Sequence, residues 1–382
     1  MLIEAMPDVL TWKAPADDLV RVFGSYVDLL ADSLARLLRR LQRAHPDAAQ
    51  VLWERFAEAS EVAFLRVLTA PETSFRLLWD GDESDLARAE FLLGALQAEL
   101  AREGRDVRLA GETWTAVGDV GFKSDGSLLG NWNVPTLGPL DFGSPLVGSV
   151  ATGEIDGADG HWEPFADDEI AAVRRRFKAA SLGIEATRPV LREFVVWFNR
   201  VVVCLKDPMS PTSSSSGSTG QYVGRTFITN PHLPGVDDVF LAEGLVHEGI
   251  HGLLYMQERQ RAWVTDELYM GSVSVVSPWS GNPLQLRPYL QACFVWYGLL
   301  HFWCLALEAG SFPAGRTRER IGQAVTGFLR GSLTAPLQPY LEEISPDLLA
   351  AVEVMQDLVM RSFAEVAPDK LRAIGNALVD SG

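Results

Sequence analysis

His247 and His251 stand four residues apart in the stretch "GLVHEGIHGLL", residues 244–254, with Glu248 between them. On a helix, residues four apart lie on the same face, so both imidazoles can turn a nitrogen toward one metal ion. Glu248 lies about 100° round the helix from His247, which on a regular helix places it badly as a ligand of the same ion. It is better placed to handle a proton on a metal-bound water or to orient a ligand. The competing reading is an ordinary core helix. Against that reading, Gly244, Gly249 and Gly252 all fall in this segment, each costing about 1 kcal/mol relative to alanine in a helix. Glycines there suit close packing, or a substrate lying against the helix.

Two imidazoles leave a metal shell incomplete. In zinc peptidases of the gluzincin type a glutamate on the next helix completes it, and in the metzincin type a third histidine follows at fixed spacing. The metzincin extension fails at once, because Leu254 stands in its glycine place and Gln257 in its histidine place. Later candidates are Asp266, Glu267, Gln291, His301 and Glu308; His301 is the only later histidine, and ligand chemistry favours it. A buried, hydrogen-bonded core histidine is the ordinary alternative there.

The elements that must carry these residues read as a mainly α (α+β) chain. Residues 1–104 form a helical N-terminal region. Two amphipathic helices are predicted, over "LVRVFGSYVDLLADSLARLLRRLQRAH" and "AAQVLWERFAEASEVAFLRVL". A third follows, with Ser84 as N-cap and Gly104 closing it. Residues 105–166, rich in glycine and with short alternating runs, read as strands and loops. Residues 167–382 carry the motif and can be continuous with the N-terminal part. Within them, helical spacing is interrupted near Gly183 and Pro189, and "EFVVWFNRVVVCL" fits helix or strand equally. "YVGRTFITN" reads as a strand leading into the motif helix. The Ser-rich run Asp207 to Gln221 reads as a mobile loop, or as a lid that orders over a site.

Composition narrows the partners. With 382 residues, 47% hydrophobic, the chain can build a substantial core. Its net charge of -17 argues against a phosphate-tracking surface, so neither nucleic acid nor an anionic membrane is expected. Cys204, Cys293 and Cys304 sit in apolar runs as free thiols, and the N-terminus shows no signal-peptide pattern, which together place the protein in the cytoplasm. The run from Tyr289 to Leu307 is long enough to span a bilayer. Its Gln291, His301 and aromatic content favour a buried core helix.

The segment "SPWSGNPLQLRPYLQACFVWYGLLHFW", Ser277 to Trp303, following "LVHEGIHGLL", resembles the HExxH-motif family of peptide-modifying proteins. The resemblance covers roughly residues 205 to 310 and is strongest at "SPW" and "HFW". It implies a non-haem iron(II), 2-oxoglutarate-dependent enzyme that hydroxylates peptide side chains. The family pattern places an arginine after "SPW", then Asp-Pro-Arg-Pro, then a distal histidine. Here those places read Ser280, Asn282-Pro283-Leu284-Gln285 and Gln291. Arg287 and Arg225 are the candidate substitutes to anchor the far carboxylate of 2-oxoglutarate. The third ligand is Gln291 by position or His301 by chemistry; about 15 Å of helix separates them, so both cannot serve one ion.

The leading expectation is therefore a mononuclear non-haem iron oxygenase-like enzyme that oxidises a side chain of a peptide or amino-acid-like natural-product precursor. Trp263, Trp279, Trp296 and Trp303 are candidates to line its pocket, or are core. The alternative is a zinc hydrolase with Glu248 as general base and a carboxylate such as Glu267 as third ligand. A third reading is a non-catalytic peptide-binding relative.

Overall fold

A computed structural model describes residues 3–14, 16–79, 83–146, 162–265 and 272–363. The ligand candidates Asp266 and Glu267 lie outside the described residues. The fold is mainly α with small sheets, as the periodicity predicts.

The N-terminal helices are α1 (Asp17–Ala44), α2 (Pro46–Glu58), α3 (Glu61–Leu68), α4 (Pro71–Leu78) and α5 (Asp85–Arg102). The second predicted helix is thus two. Ser60 breaks it by leaving the helical region and accepting a hydrogen bond from the Ala63 amide at 3.1 Å, so it caps α3. Ser84 caps α5 as expected, accepting from Ala87 at 3.2 Å, and Gly104 follows the helix end at φ 76°. The glycine-rich section gives β1 (Thr113–Trp114), β2 (Val120–Phe122) and β3 (Leu128–Asn131), an antiparallel three-stranded sheet in that order.

A second sheet has the order β4-β5-β7-β6, from β4 (Leu140–Asp141), β5 (Val201–Leu205), β6 (Ser215–Ser218) and β7 (Arg225–Thr229). β4, β5 and β7 run parallel, and β6 pairs antiparallel with β7 at the edge. Before β5 come α6 (Asp167–Thr187) and α7 (Pro189–Phe198), separated at Arg188 because the residue preceding a proline is driven out of helical conformation. Gly183 does not interrupt α6. A Cβ there would lie 2.5 Å from the Phe312 ring, so this glycine serves packing. The ambiguous run resolves into both states, helix to Phe198 and strand from Val201.

The motif helix is α8 (Asp238–Glu258), started by Asp237, whose carboxylate accepts from the Phe240 amide at 2.8 Å. After it come a hairpin of β8 (Ser274–Val276) and β9 (Pro283–Gln285), then α9 (Leu286–Ala309), α10 (Ala314–Leu329) and α11 (Pro346–Phe363). α9 is long and apolar enough to cross a membrane, but 72% of its most apolar window is buried inside the fold. That burial is what a core helix shows.

These elements form two compact units, each drawn from separated stretches of chain. The motif unit comprises 23–181 and 194–252; the apolar-helix unit comprises 1–22, 182–193 and 253–382.

Candidate metal centre

In the motif unit, three contacts fix α8. Asn199, at the corner between α7 and β5, donates to the Leu245 carbonyl at 3.0 Å and accepts from Thr226 on β7. Gly249 sits where a Cβ would meet the Phe194 ring at 2.9 Å, and Gly252 where it would meet the Phe198 carbonyl oxygen at 2.5 Å. Packing against α7 therefore accounts for both glycines. Gly244 faces the sheet, where a Cβ would have Ser216 as its nearest neighbour at 3.4 Å.

His247 and His251 present their rings together, centroids 5.1 Å apart, and the His247 side chain is 32% exposed. Glu248 does not stand apart from them as helical phase alone predicts. One ligand atom each from His247, Glu248 and His251 lies within 4.8 Å of the others. The Glu248 carboxylate comes to 3.9 Å from His247 Nε2 because its long side chain spans the angular offset. The group is 3% exposed and is held from outside its own helix: Ser216 Oγ donates to Oε1 at 2.8 Å and Ser218 Oγ to Oε2 at 2.7 Å. The Ser-rich run is thus neither loop nor lid at these positions. It is edge strand β6, and its alternate serines point at one carboxylate. Ser216, Ser218, Asn199 and Thr226 were not among the expected site residues. The signal for the serines was present, since a period of two puts them on one face of a strand.

The donor set fits a divalent first-row metal. Two imidazoles one turn apart and a carboxylate beside them make a two-histidine, one-carboxylate set, which suits iron(II) with open positions or zinc with a water. Each Glu248 oxygen keeps a second lone pair beyond its serine.

The other expected residues are placed elsewhere. Arg225, on β7, is 3% exposed, is ion-paired with Glu72 and lies 3.9 Å from the Tyr222 ring centroid. In the apolar-helix unit, Arg287 is ion-paired with Glu258, to which Gln291 also donates from Nε2 at 2.7 Å. Gln291 is 3% exposed, and its amide serves this cluster. His301 packs edge-on against Tyr297 at 4.5 Å between ring centroids. Burial, with Lys13 adding to it, pushes the His301 pKa down to about 4, so it is neutral at ordinary pH. Among the described residues it does not join the His247, Glu248, His251 group.

Trp263 donates its indole N–H to Gln257, and Trp279 donates to the Ala324 carbonyl at 2.8 Å while stacking on Trp296. Trp303 is fully buried. Trp263 and Trp303 belong to the core of their unit, whereas Trp279 and Trp296 are half-buried. Glu308 is exposed. No family model matches the chain, and no curated protein is significantly similar to it.

Proposed function

We propose that this chain is a mononuclear metal-dependent enzyme of the non-haem iron, oxygenase-like class, acting in the cytoplasm on a side chain of a peptide or amino-acid-like substrate. The observation that carries the reading is the gathering of two imidazoles and one carboxylate, His247, His251 and Glu248, on one helix. Two histidines and a carboxylate leave several positions of an iron(II) ion open, which is the condition for oxygen chemistry. When bound, the metal would supply activation of dioxygen beside the substrate. The chain's own residues hold the two imidazoles one helical turn apart and keep Glu248 in place through Ser216 and Ser218.

2-Oxoglutarate is the co-substrate that the sequence resemblance implies. Arg225 and Arg287 do not fit its distal carboxylate, because each is already paired with a protein carboxylate. No residue is assigned to it.

A second reading, a zinc hydrolase, is favoured by one distance. The 3.9 Å from Glu248 to His247 Nε2 also suits a carboxylate that takes a proton from a metal-bound water. One set of measurements separates the two. The protein is purified anaerobically, its iron and zinc are quantified, and succinate formation from 2-oxoglutarate and oxygen is followed, with His247→Ala as control. Iron with succinate that disappears in His247→Ala supports the oxygenase. Zinc with peptide cleavage that disappears in Glu248→Gln supports the hydrolase, and retention of neither metal overturns both.

A further inference from the structure

β6 is the edge strand of its sheet among the described residues, and the same strand supplies the hydroxyls that hold Glu248. Both main-chain groups of Ser215 are turned toward β7: its N–H donates to Thr229 Oγ1 at 2.9 Å, and Thr229 Oγ1 donates back to its carbonyl at 3.4 Å. In an antiparallel ladder the N–H and C=O of one residue point to the same side, and those of the next residue point to the other. The main-chain N–H and C=O of Ser216 therefore point away from β7, at the outer edge. Ser216 is half-buried, and the strand, Ser-Ser-Gly-Ser, carries none of the charges or prolines that usually protect a sheet edge.

We infer that β6 is a docking edge for the main chain of an extended peptide, which adds as a further strand and exchanges its hydrogen bonds with Ser216. The geometry says more than that a peptide binds. Residues directly opposite in a sheet, about 5.5 Å apart at Cα in a hydrogen-bonded pair, put their side chains on the same face. The Ser216 side chain faces Glu248, with its Oγ 2.8 Å from Oε1. A peptide residue paired with Ser216 thus presents its side chain, rather than its amide bond, to the carboxylate beside His247 and His251. This adds to the proposed enzyme the way its peptide is held, as an added strand paired at Ser216, and it rests on that reading for the chemistry alone. Strand addition itself needs no metal.

The test uses the full chain and a probe chosen without knowledge of the natural substrate. A displayed library of random heptapeptides is selected against the protein. An enriched peptide is then synthesised with each amide N-methylated in turn, and binding is read by fluorescence anisotropy. One central N-methyl group is expected to weaken binding tenfold or more, while its two neighbours change it less than threefold. Hydrogen exchange read residue by residue is expected to show the Ser216 amide slowed on binding. The same Kd is expected with and without a metal chelator, so peptide docking can stand even if the metal assays fail. A flat N-methyl scan, protection confined to other residues, or a library that yields no binder overturns the inference.

Discussion

The two units solve the same problem, keeping their interiors dry, by opposite means. The motif unit buries charge and pairs it. Glu72 and Arg225 are each 3% exposed and bonded to one another, and Arg66 joins Glu99 and Asp119, which are buried almost completely. The apolar-helix unit relies on packing. Along α9, Tyr289, Phe294, Phe302 and Trp303 are at most 1% exposed, and their neighbours are mostly aromatic or aliphatic. The contrast teaches where chemistry can be built. A carboxylate held at a fixed place needs donors, and the unit that is rich in buried donors is the one that holds Glu248.

The comparison can be broken most severely at the buried ion pair. Arg225→Met removes one ion-pair partner of the buried Glu72, which keeps Arg76, and a cost of about 3 kcal/mol is expected in urea unfolding. The double variant Arg225→Met, Glu72→Leu should recover most of it. If the single variant proves neutral, charge pairing is not what holds the motif unit together.

Next in size is Gly252→Ala. The new methyl meets the Phe198 carbonyl at 2.5 Å, and backbone cannot step aside as a side chain can. A loss of about 1 to 3 kcal/mol is expected from this overpacking.

Acidity sharpens the comparison, because the units carry buried groups of opposite sign. The folded pKa of His301, about 4, lies below the unfolded value near 6.5. Stability present above pH 6.5 is therefore lost as pH falls toward 4, by up to about 1.4 kcal/mol per unit. Asp141 runs the other way. Burial, only partly offset by hydrogen bonds from Ser144 and Gly143, raises its carboxyl to about 6 from 3.8. The folded state then holds the extra proton between those values, and stability falls as pH rises through that window. Chemical unfolding from pH 4 to 7 should show His301→Gln flattening the acid loss and Asp141→Asn removing the opposing slope. Curves unchanged by either substitution would remove this contrast.

The smallest effect is expected on the sheet-facing side of the motif helix. Gly244→Ala meets Ser216 at 3.4 Å, an ordinary contact, so helix propensity decides and a gain of up to about 1 kcal/mol is expected by thermal unfolding.

Much of the fold was legible, because helical periodicity and capping residues act locally. Ser84, Gly104 and Pro189 each mark a helix boundary that the structure contains. The split at Ser60 was missed because apolar spacing continues across it, and only the cap reveals the break. Interleaving of the two units is not a local property, since each gathers stretches far apart in sequence. At the site, the spacing of His247 and His251 was readable, as the geometry of a helix is fixed. The cradle around Glu248 was not. It depends on which strand of a sheet lies over the helix, and the serines that form it look from composition like a flexible run. Arg225 shows the reverse error, in which a residue suited by type to bind an anion is committed to Glu72, 153 positions away in the chain.

Thr229 has a further role. Its hydroxyl bonds both main-chain groups of Ser215, and in a run of near-identical serines it fixes the alignment of β6 together with Gly217, where a Cβ would collide with the Phe227 ring. A slip of one residue would turn every side chain to the other face and bring Ser215 and Gly217 where Ser216 and Ser218 now stand. Glu248 would keep one hydroxyl at most. The position of the carboxylate is thus encoded less by the serines that touch it than by the threonine and the glycine that tell the strand where to stop sliding.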